Sequence, residues 1–272
     1  MGAPKISYEI ELEEYETLCR HLYQASGIRL GDKKQSLVEA RLLKRLHFLG
    51  LSNFGEYINY LESHLEVEFQ FLIEAMTTHK TEWYRESLHF DFLAEKIAVQ
   101  KKRPLHIWSA ACSTGEELWT IALILKEQGF TPKDYRLLGT DISGVVVEQA
   151  ERALYSQKGM QAPPYNEQTK DFFKMRRDLN PPQLEVHSQY RESTKFKKMN
   201  LIDLQLPQNL KFDFIFLRNV LIYFDVLSTQ KVISSLVKHL KPESYLILGM
   251  SESLSGIDNQ LKNCGHSIYQ LI

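Results

Sequence analysis

Apolar residues change their spacing near residue 104, and that change restricts the chain to two architectures joined in sequence. Residues 11–24 place Leu12, Tyr15, Leu18 and Leu22 at helical spacing, with Gly27 as a stop. Residues 34–49 repeat the pattern with Val38, Leu42, Leu46 and Leu49, and Gly50 follows as a C-terminal stop. Ser52 is expected to cap a third helix carrying Phe54, Tyr57, Ile58 and Leu61, and residues 69–76 form a fourth apolar stretch. No strand signal precedes residue 100. Beyond Pro104, short apolar runs at 105–111, 135–140, 212–217, 245–250 and 266–272 alternate with helical stretches at 116–126, 143–155 and 226–240. Strands alternating with helices imply βαβ units and a mostly parallel, buried sheet. The expected organisation is therefore a helical domain over 1–85, a linker over 86–103 containing Lys-Lys-Arg-Pro, and an α/β domain over 104–272. Residues 159–196 hold four prolines and a weak period-2 pattern at Leu184 and Val186, which reads as an insertion with a short hairpin.

Composition closes off other classes. The chain has 272 residues with 33 basic and 34 acidic side chains, and 43% of its residues are hydrophobic. Those values suit a soluble globular protein long enough to bury a core without staples. The longest stretch free of Asp, Glu, Lys and Arg is Pro104 to Gly115, 12 residues, short of the roughly 20 that span a bilayer. MGAPKIS at the N-terminus lacks the apolar stretch of a secretory signal, and Ile6 breaks the myristoylation pattern. Cys19, Cys112 and Cys264 are odd in number and form no CxxC, so a reduced cytoplasmic protein without a metal site is expected.

In open α/β sheets ligands bind beyond the carboxyl ends of the strands. The first strand ends as Trp108-Ser-Ala-Ala-Cys-Ser-Thr-Gly-Glu-Glu117. Gly115 can adopt positive φ, and small residues let a ligand approach the backbone. Two carboxylates open the helix that follows and no lysine is present, which disfavours phosphate and favours a cationic centre. Asp141 ends the second strand, where an acid can hold both hydroxyls of a ribose. Together these features suit a nucleoside with a cationic amino-acid tail, such as S-adenosylmethionine. The same residues would also serve an ordinary βα turn with capping acids.

The blocks WSAACSTGEELWTIA, GTDIS, FIFLRNVLIYFD and LKPESYLILGMSESL, preceded by TTHKTEWYRE, resemble in order and spacing the signature blocks of chemotaxis receptor methyltransferases of the CheR type. The resemblance runs from about residue 10 to the C-terminus. It implies a small all-α N-terminal domain, a Rossmann-like S-adenosylmethionine-dependent catalytic domain with a small β insertion, and methylation of glutamate side chains on chemoreceptors, with S-adenosylhomocysteine as product. It further implies cofactor contacts at His79, Thr81, Arg85, Glu117, Asp141, Asn200, Leu201, Asn219 and Val220, and a reacting centre at Arg85 and Tyr223. His79 stands where the family usually has Asn, and Trp83-Tyr84 replaces a Phe pair. If a helix starts at Asn219, Tyr223 shares its face.

Between Ile28 and His47 six basic residues stand against Asp32 and Glu39, a net of +4. Lys34, Arg41, Lys44 and Arg45 form a stripe on the second helix. The family's methylation helices are acidic, so the stripe is an expected docking site for receptors. The insertion has no glycine over 174–192 and is expected not to bind a receptor tail peptide. A monomer that binds no nucleic acid and enters no membrane is expected. One alternative is a non-catalytic module that binds S-adenosylmethionine or homocysteine. The other is a nucleic-acid methyltransferase, and position speaks against it: the motifs Ala162-Pro-Pro-Tyr165 and Asn180-Pro-Pro-Gln183 lie inside the insertion rather than after the fourth strand.

Overall fold

The computed structural model describes residues 8–100, 103–158, 162–257 and 260–272. The chain divides into two units: one holds residues up to Thr78 together with Tyr223–Ser228, the other His79–Ile222 and Thr229–Ile272.

The first unit contains α1 (Leu12–Ser26), α2 (Gln35–Leu49), α3 (Phe54–Ser63) and α4 (Leu65–Met76). A capping box starts α1, with the Glu11 amide donating to Glu14 Oε2 at 2.9 Å. Gly27 and Gly50, at φ 71° and 69°, end α1 and α2 as their spacing predicts. The cap of α3 is Asn53, not Ser52: Asn53 Oδ1 accepts from Glu56 N at 2.9 Å, while Ser52 N donates to Glu56 Oε2. The helices bury Leu18, Leu22, Leu42, Leu46, Phe54 and Leu61 between them. Leu12 remains 62% exposed, because it opens α1 ahead of the buried stripe that starts at Tyr15. Tyr223–Ser228 joins this unit through Tyr23, whose hydroxyl donates to Asp225 Oδ2 at 2.9 Å, and through Arg29 N, which donates to the Tyr223 carbonyl at 2.8 Å.

The second unit begins with α5 (Leu88–Gln100). These residues were expected to be linker. Instead Phe90, Leu93 and Ile97 recur at helical spacing and are buried in the unit's core with Ile107 and Phe216. Then follow β1 (Leu105–Ser109), α6 (Glu116–Glu127), β2 (Tyr135–Asp141), α7 (Gly144–Arg152), β3 (Leu154–Ser156), β4 (Phe173–Arg176), β5 (Gln183–Val186), α8 (Ser188–Arg191), β6 (Thr194–Lys198) and β7 (Phe212–Leu217). A 3-10 turn at Leu221–Tyr223, α9 (Val226–Val237), β8 (Leu240–Leu248), β9 (Leu261–Asn263) and β10 (Ile268–Leu271) complete the chain. Among the described residues the main sheet runs β6-β2-β1-β7-β8-β10-β9, parallel except where β10 pairs with β8 and β9. The insertion is a three-stranded antiparallel sheet, β3-β5-β4, so it extends past a hairpin and starts at Leu154. β7 is buried at every position, as a central parallel strand must be. The chain winds outward from β1 to β2 and β6, then returns to β7 and β8 on the other side. The strand order therefore reverses between β1 and β7, and in open α/β sheets the ligand crevice lies at such a switch point, beyond the carboxyl ends of the strands.

Candidate active site

Past β1 the backbone stays tied to its neighbours: Ala110 N donates to the Phe216 carbonyl at 2.7 Å and Cys112 N to the Thr140 carbonyl at 2.9 Å. The turn into α6 uses Ser113 at φ 47° and Gly115 at φ 94°. A Cβ on Gly115 would stand 2.9 Å from Ala150 Cβ and 3.0 Å from Tyr155 Oη, so both conformation and space require glycine. Ser113 N donates to Asp141 Oδ2 at 2.9 Å and Ser143 N to Asp141 Oδ1 at 3.1 Å. Two backbone amides thus hold the Asp141 carboxylate in one orientation at the end of β2. Met199 N donates to the Asp141 carbonyl at 2.8 Å, which brings Asn200 and buried Leu201 beside it at the end of β6.

The two acids that open α6 do different work. Glu116 is buried, its Oε2 accepts from Thr114 Oγ1 at 2.6 Å, and burial raises its pKa. Glu117 lies nearer the surface: its Oε1 accepts from Ser109 Oγ at 2.7 Å and its Oε2 from Arg218 Nη1 at 2.8 Å. Arg218 follows β7 directly, and its side chain is 3% exposed. Its other terminal nitrogen, Nη2, donates to Glu86 Oε2 at 3.0 Å and to the Arg85 carbonyl. Glu86 Oε1 accepts from Asn219 Nδ2 at 3.1 Å and Oε2 from Met250 N at 3.1 Å. Burial opposes ionisation of Glu86, but the Asn219 hydrogen bond and the Arg218 charge outweigh it, so its carboxyl titrates below the usual range. One buried guanidinium thus joins the block before α5 to the end of β7 and the start of α6. Glu86, Glu117 and Asp141 outnumber Arg218, which leaves the crevice with an excess of negative charge.

Four non-glycine residues here adopt left-handed backbone: Tyr84 (φ 54°), Glu86 (φ 57°), Ser113 and Asn219 (φ 58°). Each such residue costs on the order of 1 kcal/mol, and such residues collect at sites whose surroundings over-determine them.

The expected residues fall as follows. Glu117, Asn219 and Val220 meet at the β1–β7 crevice, where Asn219 also bonds Glu86, and Asp141 with Asn200 and Leu201 stand at the ends of β2 and β6. His79 and Thr81 precede α5; the His79 carbonyl accepts from Ser113 Oγ at 3.3 Å, and Thr81 is buried. Arg85 is half-buried, and its Nη1 donates to the Lys80 carbonyl at 2.7 Å. Tyr223 groups with the helical unit. No helix starts at Asn219: its left-handed φ and the 3-10 turn at Leu221–Tyr223 replace the shared helix face that spacing suggested. Sequence reasoning missed Glu86 and Glu252 as organisers of the site. Each stands in a block that carried the resemblance, but a lone acid in such a block has no spacing that marks it.

The basic stripe on α2 is divided. Lys34 and Lys44 are exposed. Arg41 donates to the carbonyls of Ala75, at 3.0 Å, and Thr77. Arg45 pairs through Nη2 and Nε with Glu68, at 2.5 and 3.0 Å, and stacks on Phe71 with its Cζ 3.6 Å from the ring centroid. The side chain of Glu68 is 1% exposed, so Arg45 neutralises a buried charge. Arg41 and Arg45 therefore hold α2 to α4, which corrects the expectation that all four cations face a partner.

Two family models match the chain. The all-alpha domain of CheR methyltransferases covers residues 13–77, and their S-adenosylmethionine-binding domain covers residues 79–270. The chain belongs to the CheR methyltransferase family. It is 36% identical to the chemotaxis protein methyltransferase of Borreliella burgdorferi, over 93% of both chains. It is 34% identical to those of Salmonella typhimurium and Escherichia coli, over 94% of this chain and 89% and 90% of theirs. CheR enzymes take their methyl group from S-adenosylmethionine, and the site fits that cofactor. A fixed carboxylate at the end of β2 suits a ribose, and an acid-rich crevice suits a molecule with an ammonium and a sulfonium centre. Among the described residues no cluster of His, Cys, Asp and Glu is arranged to hold a metal, and no helix is long and apolar enough to cross a membrane.

Proposed function

We propose that this enzyme transfers a methyl group from S-adenosylmethionine to glutamate side chains on the cytoplasmic helices of chemoreceptors, forming methyl esters that reset receptor signalling. The observation that carries this reading is the acid-rich crevice at the β1–β7 switch point, with Arg85 held beside it through its carbonyl bond to Arg218. The bound cofactor supplies a methyl group already activated by its sulfonium. Asp141 holds the ribose, Asn200 and Leu201 flank the adenine, and Glu117 with Asn219 faces the amino-acid end. A glutamate carboxylate, with a reference pKa near 4.3, is ionised at neutral pH and needs no general base. The protein's task is therefore to orient and to exclude water. Lys80 takes one N–H of the Arg85 guanidinium, and the remaining fork aligns the substrate carboxylate. Tyr223 orients the incoming oxygen.

Docking rests on Lys34 and Lys44, the exposed cations of the stripe that internal bonds among the described residues do not consume, and the enzyme works where receptor helices lie, in the cytoplasm. The insertion, with Arg176 bonded to both Asp178 and Glu185, is read as a structural cover and not as a peptide clamp. Arg85→Ala and Tyr223→Phe are each expected to lower turnover on receptor by about 100-fold while leaving the circular dichroism spectrum unchanged. Wild-type turnover in both variants contradicts the assignment. A module that binds S-adenosylhomocysteine but transfers no methyl to any receptor would support the non-catalytic alternative.

A further inference from the structure

The Glu252 side chain accepts four backbone amides. Oε1 takes Val220 N at 2.8 Å and Leu221 N at 2.7 Å; Oε2 takes Asn219 N at 2.8 Å and Gly249 N at 2.7 Å. The residue is 5% exposed. A carboxylate has about four acceptor positions, so these bonds saturate it. Glu252 has nothing left to offer a ligand and can act only through the backbone it holds. That backbone is the loop leaving β7, in which Asn219 sits in a left-handed conformation at the switch point. The loops after β7 and β8 meet so closely that a Cβ on Gly249 would lie 2.9 Å from Asn219 N and 2.6 Å from Asn219 Nδ2. Glu86 fixes the Asn219 amide from the other side by accepting from Nδ2 at 3.1 Å.

We infer that Glu252 is a positioning residue for cofactor binding: its carboxylate fills a nest of four amides, locks the Asn219–Leu221 backbone with Asn219 in its left-handed form, and so fixes how Asn219 and Val220 meet the cofactor. The inference rests on the proposed cofactor contacts at Asn219 and Val220. One consequence is that the amides of Asn219, Val220 and Leu221 are spent on Glu252. These residues address the cofactor by side chain and carbonyl only, with the Asn219 carbonyl oxygen as the acceptor that Glu86 leaves over.

The test uses the full-length enzyme with Glu252→Gln, which puts an amide NH₂ where two backbone N–H groups now find an oxygen. Titration calorimetry with S-adenosylhomocysteine reads the cofactor site without any receptor, so it is independent of the methylation chemistry. Leaving buried donors unpaired is expected to weaken S-adenosylhomocysteine binding by about tenfold or more. KM for S-adenosylmethionine should rise in parallel while KM for receptor stays unchanged, and hydrogen exchange at Asn219–Leu221 should speed up locally. Glu252→Asp, which keeps the charge but is one methylene short, is expected to fall between the two and serves if the glutamine variant does not fold. A purely structural residue would lower the melting temperature and the active fraction but leave the dissociation constant of the folded fraction alone. Unchanged S-adenosylhomocysteine affinity in either folded variant overturns the inference.

Discussion

Gly115 meets two demands at once: φ 94°, and no room for a Cβ against Ala150 and Tyr155. Gly115→Ala is expected to destabilise the protein by about 2 kcal/mol, read by urea denaturation, and to weaken S-adenosylhomocysteine binding because the turn also sets Ser113 against Asp141. An unchanged midpoint would show that the turn relaxes freely. Gly115, Glu117 and Asp141 could be singled out from sequence because the end of a βα strand is where ligands bind, but position alone left them equally open to an ordinary turn with capping acids, and the resemblance had to choose. Arg218 could be seen but not interpreted, since its role depends on two carboxylates that lie 101 and 132 positions away in the chain. Nothing in local sequence brings such partners together.

Strands and helices differ in how plainly they announce themselves. β7, buried on both faces, reads as a continuous apolar run, and its bounds match the sequence reading of 212–217. β6 reads Thr-Lys-Phe-Lys-Lys and gives no such signal, because it is an edge strand and lysines there protect the open edge. Thr194 and Phe196 share the inward face, and Phe196 lies over Gly139, where a Cβ would stand 2.5 Å from its ring. α5 was hidden by the basic linker-like residues at its end, although its apolar period was present. The α2 stripe carries a prediction of its own. Arg45→Ala strands the buried Glu68 carboxylate and is expected to cost about 3 kcal/mol in urea unfolding. Lys44→Glu is expected to leave stability within about 0.5 kcal/mol while raising KM for receptor. The reverse pattern would return Arg45 to the partner surface.

Across the whole molecule, pH acts on two neighbouring groups with the same sign. His89 is fully buried, its Nε2 meets the His266 carbonyl at 2.9 Å, and burial holds its pKa below the ordinary imidazole value. The unfolded chain therefore takes up a proton that the fold refuses, and stability begins to fall as pH drops below about 6.5. The Glu86 carboxyl also titrates below its usual value, so its contribution is present above the ordinary carboxylate range and is lost as pH falls through its lowered one. The melting temperature is expected to decline from about pH 6.5 downward, and His89→Gln should flatten the upper part of that decline. A melting temperature that rises on acidification would reverse the sign of both groups.

The change in apolar period near residue 104 marks where strands begin, while the units divide at Thr78 and His79 with α5 in the sheet unit, and the identity of the reaction needed the signature blocks. The most direct test of that reaction is methyl transfer from labelled S-adenosylmethionine to chemoreceptor, with the modified residue located by mass spectrometry before and after mild alkali. The account predicts label on receptor glutamates that alkali releases as methanol. Label on lysine, on histidine or on nucleic acid that survives alkali would contradict it.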